Sequence, residues 1–229
     1  RQKFEYQLLN NQPSTLYVDA LFTPIKKVNY KVKLINDFNG NIKESLILEI
    51  TTNGSSGVTI NLPSTGSSPI QTAGVYGGSE GFITTSTDGK YLVVTGYGTS
   101  SSFTDITGTA SNTVPRVVGQ VLPSGLYQQL YSSSTMYNLN DIRSAVSDGT
   151  NFWAGGASTA NVDGVNYVGP NTPTILGGGA IPAKAYSTRI FNNQIYYSTQ
   201  KAGPSNTATQ LGIFSIGNGL QTSGSATPI

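Results

Sequence analysis

Gly77-Gly78-Ser79-Glu80-Gly81 fits the G-x-S-x-G pattern of a serine nucleophile raised on a strand-to-helix turn. That chemistry needs a base beside the serine, ordinarily histidine, and the chain has no His. Ser198-Thr199-Gln200-Lys201 fits S-x-x-K, which works when the serine opens a helix and the lysine lies one turn on. Here Ser198 ends a strand pattern and Ala202-Gly203-Pro204 continues as loop, so the spacing reads as accidental. What remains for acid–base work is a set of 11 Asp and Glu. Asp88 and Asp148 are explained by turns, where Asp tolerates left-handed backbone and bonds to nearby main chain. Glu44 and Glu49 belong to an amphipathic strand pattern. Glu80, Asp105, Asp141 and Asp163 have no such structural task. If one of them served glycoside hydrolysis, a second carboxylate would lie within about 10 Å of it in a cleft. Against that stands the missing histidine, and the expectation is a chain with no catalytic residues that is not an enzyme. Without His or Cys, and with no window of alternating carboxylates, neither a metal site nor a cofactor is expected.

Binding chemistry is better represented. Exposed Tyr and Trp offer apolar area with a polar tip, which suits sugars and protein surfaces. The residues expected to contact a ligand are Trp153, Tyr97, Tyr167 and Asp141, the last placed just before a strand where polar groups could gather. Packing between sheets is the competing use for the aromatics. Because Phe152 and Trp153 are consecutive in a strand pattern, one ring should point inward and the other outward. Asn53-Gly54-Ser55 is a glycosylation sequon, conditional on a host that modifies Asn. Lys26, Lys27, Lys31 and Lys33 with Tyr30 are the nearest approach to a nucleic-acid face, and a net charge of +2 weakens that reading.

The elements that would position these groups are strands. Phe82–Gly98, Ile142–Ala157 and Thr188–Ser198 read as one hairpin written three times, around Asp88-Gly89, Asp148-Gly149 and Asn192-Asn193. Asp-Gly and Asn-Asn supply the positive φ of tight hairpin turns. Val28, Tyr30, Val32 and Leu34 alternate with polar residues, predicting a half-buried strand that Asn39-Gly40 turns into another over 42–50. Further strands are predicted over 81–85, 90–95, 116–122, 125–131, 165–168 and 211–216. Segments 51–57, 63–68, 99–114, 155–164 and 201–208 read as loops. Charged residues make up only 10% of the 229 residues, while 27 Gly, 13 Tyr and 8 Phe speak for a folded, turn-rich β protein rather than disorder. The fold expected is all-β, with antiparallel blade-like hairpins forming a β-propeller or part of one.

Glu80–Gly98, Asp141–Ala157, Arg189–Ser198 and Gly212–Gly224, with the local run Pro115-Arg116-Val117-Val118-Gly119, resemble the blades of large secreted β-propeller-like repeat proteins, mostly bacterial and of unassigned function. The resemblance covers about residues 33–229. It leaves 1–32 as a divergent N-terminal arm, and it implies an extracellular or cell-surface setting with no catalytic residues to carry over. Arg1 is not an initiator residue, so processing or trimming is expected. The role expected is a secreted or cell-surface structural or adhesion protein, with a glycan-binding module or an Asp/Glu-pair carbohydrate enzyme as alternatives. Its expected partners are copies of itself, other extracellular proteins and glycans, with no nucleic acid and no membrane span.

Overall fold

A computed structural model describes residues 2–7, 13–18, 29–36, 42–50, 56–73, 80–157, 164–169, 173–177, 184–199 and 212–223. Within them the chain is all-β, and every pairing within a sheet is antiparallel. Two sheets precede the hairpin repeats. β1 (Gln2–Gln7) pairs with β2 (Pro13–Val18), and β3 (Asn29–Asn36), β4 (Ile42–Ile50) and β5 (Ser56–Asn61) form a three-stranded meander. The boundary expected between residues 32 and 33 thus falls inside β3.

Three sheets follow in chain order. The first is four-stranded: β6 (Thr84–Thr85), β7 (Leu92–Tyr97), β8 (Arg116–Val121) and β9 (Tyr127–Ser133). Next comes another four-stranded sheet of β10 (Ile142–Ser147), β11 (Phe152–Gly156), β12 (Val165–Tyr167) and β13 (Thr174–Gly177). The third holds β14 (Ala185–Phe191), β15 (Gln194–Thr199) and β16 (Gly212–Ser215). Each begins with one of the hairpins read from the sequence, but the turns differ in detail. Asn192 and Asn193 both take positive φ, at 46° and 57°, whereas in the Asp-Gly turns only Gly89 and Gly149 do. Asp88 and Asp148 act instead through their carboxylates. The first accepts from the Ser86 hydroxyl and the Lys90 N–H, the second from the N–H groups of Thr150 and Asn151.

The sheets stack face to face. Val93, Tyr97, Val118, Met136 and Tyr137 meet Ile142, Ala145, Phe152 and Ala154 in a core between the first and second sheets. Val146, Trp153, Val165 and Leu176 meet Ala185, Ile195, Tyr197 and Ile216 between the second and third. On the outer face of the first sheet, Leu62 and Ile70 cover Val94, Val117 and Val121. The second sheet is therefore covered on both faces, which is why every residue of β10 and β11 is buried rather than every other one. Phe152 and Trp153 do point to opposite faces, but each face is a core, so both rings are buried.

Close approach of the second and third sheets depends on Gly155. A Cβ there would collide with the Thr188 hydroxyl and come within 3.0 Å of Ser144 Oγ. Gly155→Ala is expected to lower stability by about 1–3 kcal/mol through overpacking, measured as a lower denaturant midpoint at unchanged m-value.

Several strands differ from the sequence reading. β5 begins inside the expected loop 51–57, and β13 is a strand beyond those predicted. β13 is an edge strand, with Ile175 exposed, so its pattern carries little burial signal. Among the described residues no helix is long and apolar enough to cross a membrane.

Candidate functional site

The chemically capable side chains converge where β7 ends, β8 begins and the chain enters β10. Tyr97 closes β7 and is fully buried, and its hydroxyl donates to Glu80 Oε1 at 2.6 Å. Glu80 is itself only 9% exposed. Burial raises its carboxyl pKa to about 8, outweighing the Tyr97 hydrogen bond; the Asp141 charge adds to the rise and Arg143 opposes it. Burial, with Glu80 beside it, also holds the Tyr97 phenol protonated far above its ordinary range. At neutral pH this pair is a protonated carboxyl and a phenol sharing one short bond.

Two arginines frame the pair. Arg116 opens β8 with none of its surface exposed, and its guanidinium lies 5.0 Å from the centre of the Tyr97 ring. It donates to the carbonyls of Val114 (2.7 Å), Thr107 (3.0 Å), Thr109 (2.9 Å) and Asn140 (2.8 Å), and to the Thr109 hydroxyl at 3.2 Å. Arg143, on β10, grips Asp141 at 2.7 Å and lies 4.0 Å over the Tyr186 ring. A longer bond, 3.4 Å to the Ala185 carbonyl, ties it to the first strand of the third sheet. This cluster ties loops and sheets together. Its acid–base groups are engaged with one another and with the arginines, Glu80 buried and Asp141 half-buried.

The residues expected to serve a ligand are placed as follows. Tyr97 and Asp141 both join the cluster, Tyr97 buried and Asp141 half-buried against Arg143. Trp153 is 0% exposed, packs 5.9 Å from Tyr167 and donates its indole N–H to the Gln221 carbonyl at 2.6 Å. With both faces covered it has no ring surface to offer a ligand; the sheet that hides it was not visible from its own strand. Tyr167 is half-buried and donates to Asn151 Oδ1 at 3.0 Å. Asp105 sits in an exposed turn, accepting from the Thr107 N–H at 2.9 Å. Asn53 and Asp163 lie outside the described residues, as do Ser79 of the G-x-S-x-G run and Lys201 of the S-x-x-K run. The arginines were missed as functional residues, although their setting carries a signal: Arg116 lies among Val114, Val117 and Val118, and Arg143 follows Ile142. A cation within an apolar strand must find buried acceptors. Among the described residues no group of three or more His, Cys, Asp or Glu could hold a metal ion.

No family model matches the chain. Short segments are similar to curated DNA-directed RNA polymerase alpha subunits. The match to that of Emiliania huxleyi is 54% identical over 46 residues, 20% of this chain and 15% of the relative. Those to the Pyrenomonas salina and Cyanophora paradoxa subunits are 58% over 40 and 53% over 45 residues, reaching 13% and 14% of each relative. The chain thus spans about a seventh of the length of the curated relatives it matches. This finding overturns the expected partner set of self, extracellular proteins and glycans with nucleic acid excluded. The exclusion rested on a net charge of +2 averaged over 229 residues, and such an average is blind to what a segment of about forty residues resembles.

Proposed function

We propose that the chain is a non-enzymatic structural protein of the cell exterior or surface, its sheets forming a β-propeller or part of one. The observation that carries this reading is the lateral contact between the first strands of successive sheets. The Phe82 N–H reaches the Arg143 carbonyl, and a parallel bridge joins Phe82 to Ser144. Thr84 Oγ1 donates to the Ala145 carbonyl at 2.7 Å, and the Thr188 N–H donates to Ser144 Oγ at 3.0 Å. First strands of successive sheets lying side by side are what blades of a propeller require. The engagement of Asp141 by Arg143 and of Glu80 by Tyr97 supports a structural use of the polar groups.

A second reading is favoured by the identity to DNA-directed RNA polymerase alpha subunits: a protein associated with the transcription machinery. One experiment separates the two. Cells of the native source are fractionated and the chain followed by immunoblot beside polymerase. Recovery in the surface or medium fraction is the outcome expected of the first reading. Co-purification with polymerase through salt washes would overturn it in favour of the second.

A further inference from the structure

A cavity of about 520 Å³ opens between the first strands of the three stacked sheets. Ile83, Val146 and Ile190 give it apolar wall, and Thr84, Thr85, Thr87 and Ser147 give it hydroxyls. Arg189 supplies its only charged lining side chain among the described residues. The size lies within the range of small-ligand sites.

The polar groups divide into those already engaged and those free. Thr84 is bonded to the Ala145 carbonyl, and Ser147 to Tyr91 and the Gly149 N–H. The hydroxyls of Thr85 and Thr87 have no partner among the described residues, and both residues are exposed. Arg189 donates one N–H to the neighbouring Thr188 carbonyl at 2.9 Å, and no carboxylate among the described residues pairs with it. More than a third of its surface reaches solvent, yet neighbouring atoms crowd the guanidinium enough to disfavour its charge. This differs from Arg116, whose terminal nitrogens are occupied by carbonyls, and from Arg143, which holds Asp141. An arginine fork with spare donors beside two free hydroxyls, against apolar wall, matches the recognition chemistry of a carboxylate or phosphate group.

We propose that this cavity binds a small oxyanion, carboxylate or phosphate, held by Arg189 with Thr85 and Thr87 as neutral donors. Arg189 also lines a shallower groove with Phe191, Tyr196 and Ile213, leaving room for an apolar substituent beside the anion. The inference is independent of where the protein resides.

The test titrates the full chain with inorganic phosphate and, separately, with butyrate at constant ionic strength, following thermal unfolding. A saturable rise in Tm with either anion is expected, phosphate alone indicating a tetrahedral site and butyrate alone a planar one. Arg189→Gln should weaken the response about tenfold or more. Thr85→Val should weaken it several-fold. Because Arg189 makes one side-chain hydrogen bond among the described residues, its variant should fold like the parent. No saturable response to either anion, or an undiminished response in Arg189→Gln, would overturn the proposal.

Discussion

Replacing Arg116 with alanine is expected to destabilise the protein by about 4 kcal/mol or more, a large share of the roughly 5–15 kcal/mol that holds a domain folded. The side chain is fully buried, and it is the hydrogen-bond partner of the carbonyls of Thr107, Thr109, Val114 and Asn140. Removing it strands those acceptors and leaves a cavity beneath Tyr97. The residue also joins two regions, the 105–114 loop and the Asn140 carbonyl at the entry to β10. Arg116→Lys keeps the charge but not the planar fork, so its ammonium reaches fewer carbonyls; an intermediate loss of about 2 kcal/mol is expected. Arg116→Met keeps the stem but satisfies none of the acceptors, and should resemble alanine. Guanidinium unfolding of the three variants measures this. A loss under about 1 kcal/mol for alanine would mean that the loop is held by other contacts.

Stability should fall, not rise, as pH increases from about 4.5 to 8, because of Glu80. Its carboxyl titrates near 8 in the folded chain and near 4.5 when unfolded. Between those values the native state binds a proton that the unfolded state has released, so higher pH favours unfolding. The contribution is complete below 4.5 and is lost as pH climbs through 8, with a limiting slope of about 1.4 kcal/mol per pH unit. The window is unusually clean, since the chain contains neither His nor Cys to titrate within it. Asp88 and Asp148 have lowered values, so their contributions change at the acid end instead. Glu80→Gln keeps a carbonyl to accept from Tyr97 and removes the titration. Its denaturation midpoint should be flat across the window where the parent's declines. A parent midpoint that rises with pH there would contradict the buried, protonated state of Glu80.

The hairpins were legible because their turns are chemically specific. Asn192-Asn193 adopts the left-handed conformation that its residues predict, and the Asp-Gly turns bond their own main chain. Burial was harder to read. Trp153 looked like a ligand-stacking ring because a strand shows only its own alternation; that another sheet covers each face of β11 is a long-range fact. Likewise Glu80 and Asp141 stood out as carboxylates without a task. Nothing local could announce that Tyr97, Arg116 and Arg143 would converge on them from separate strands. Edge strands such as β13 escape notice because exposure on one side and short length erase the pattern.

The stacking of successive sheets through their first strands is tested most directly by a disulfide across that contact. Ser144 Oγ on β10 and Thr188 Oγ1 on β14 lie 3.2 Å apart, and the chain has no native cysteine to interfere. The double variant Ser144→Cys, Thr188→Cys is refolded in a glutathione buffer, and its thiols are titrated after unfolding. Loss of both thiols within single chains, while each single variant keeps its one thiol, is the predicted result. Two free thiols in a protein that retains its near-ultraviolet dichroism would contradict the stacked arrangement.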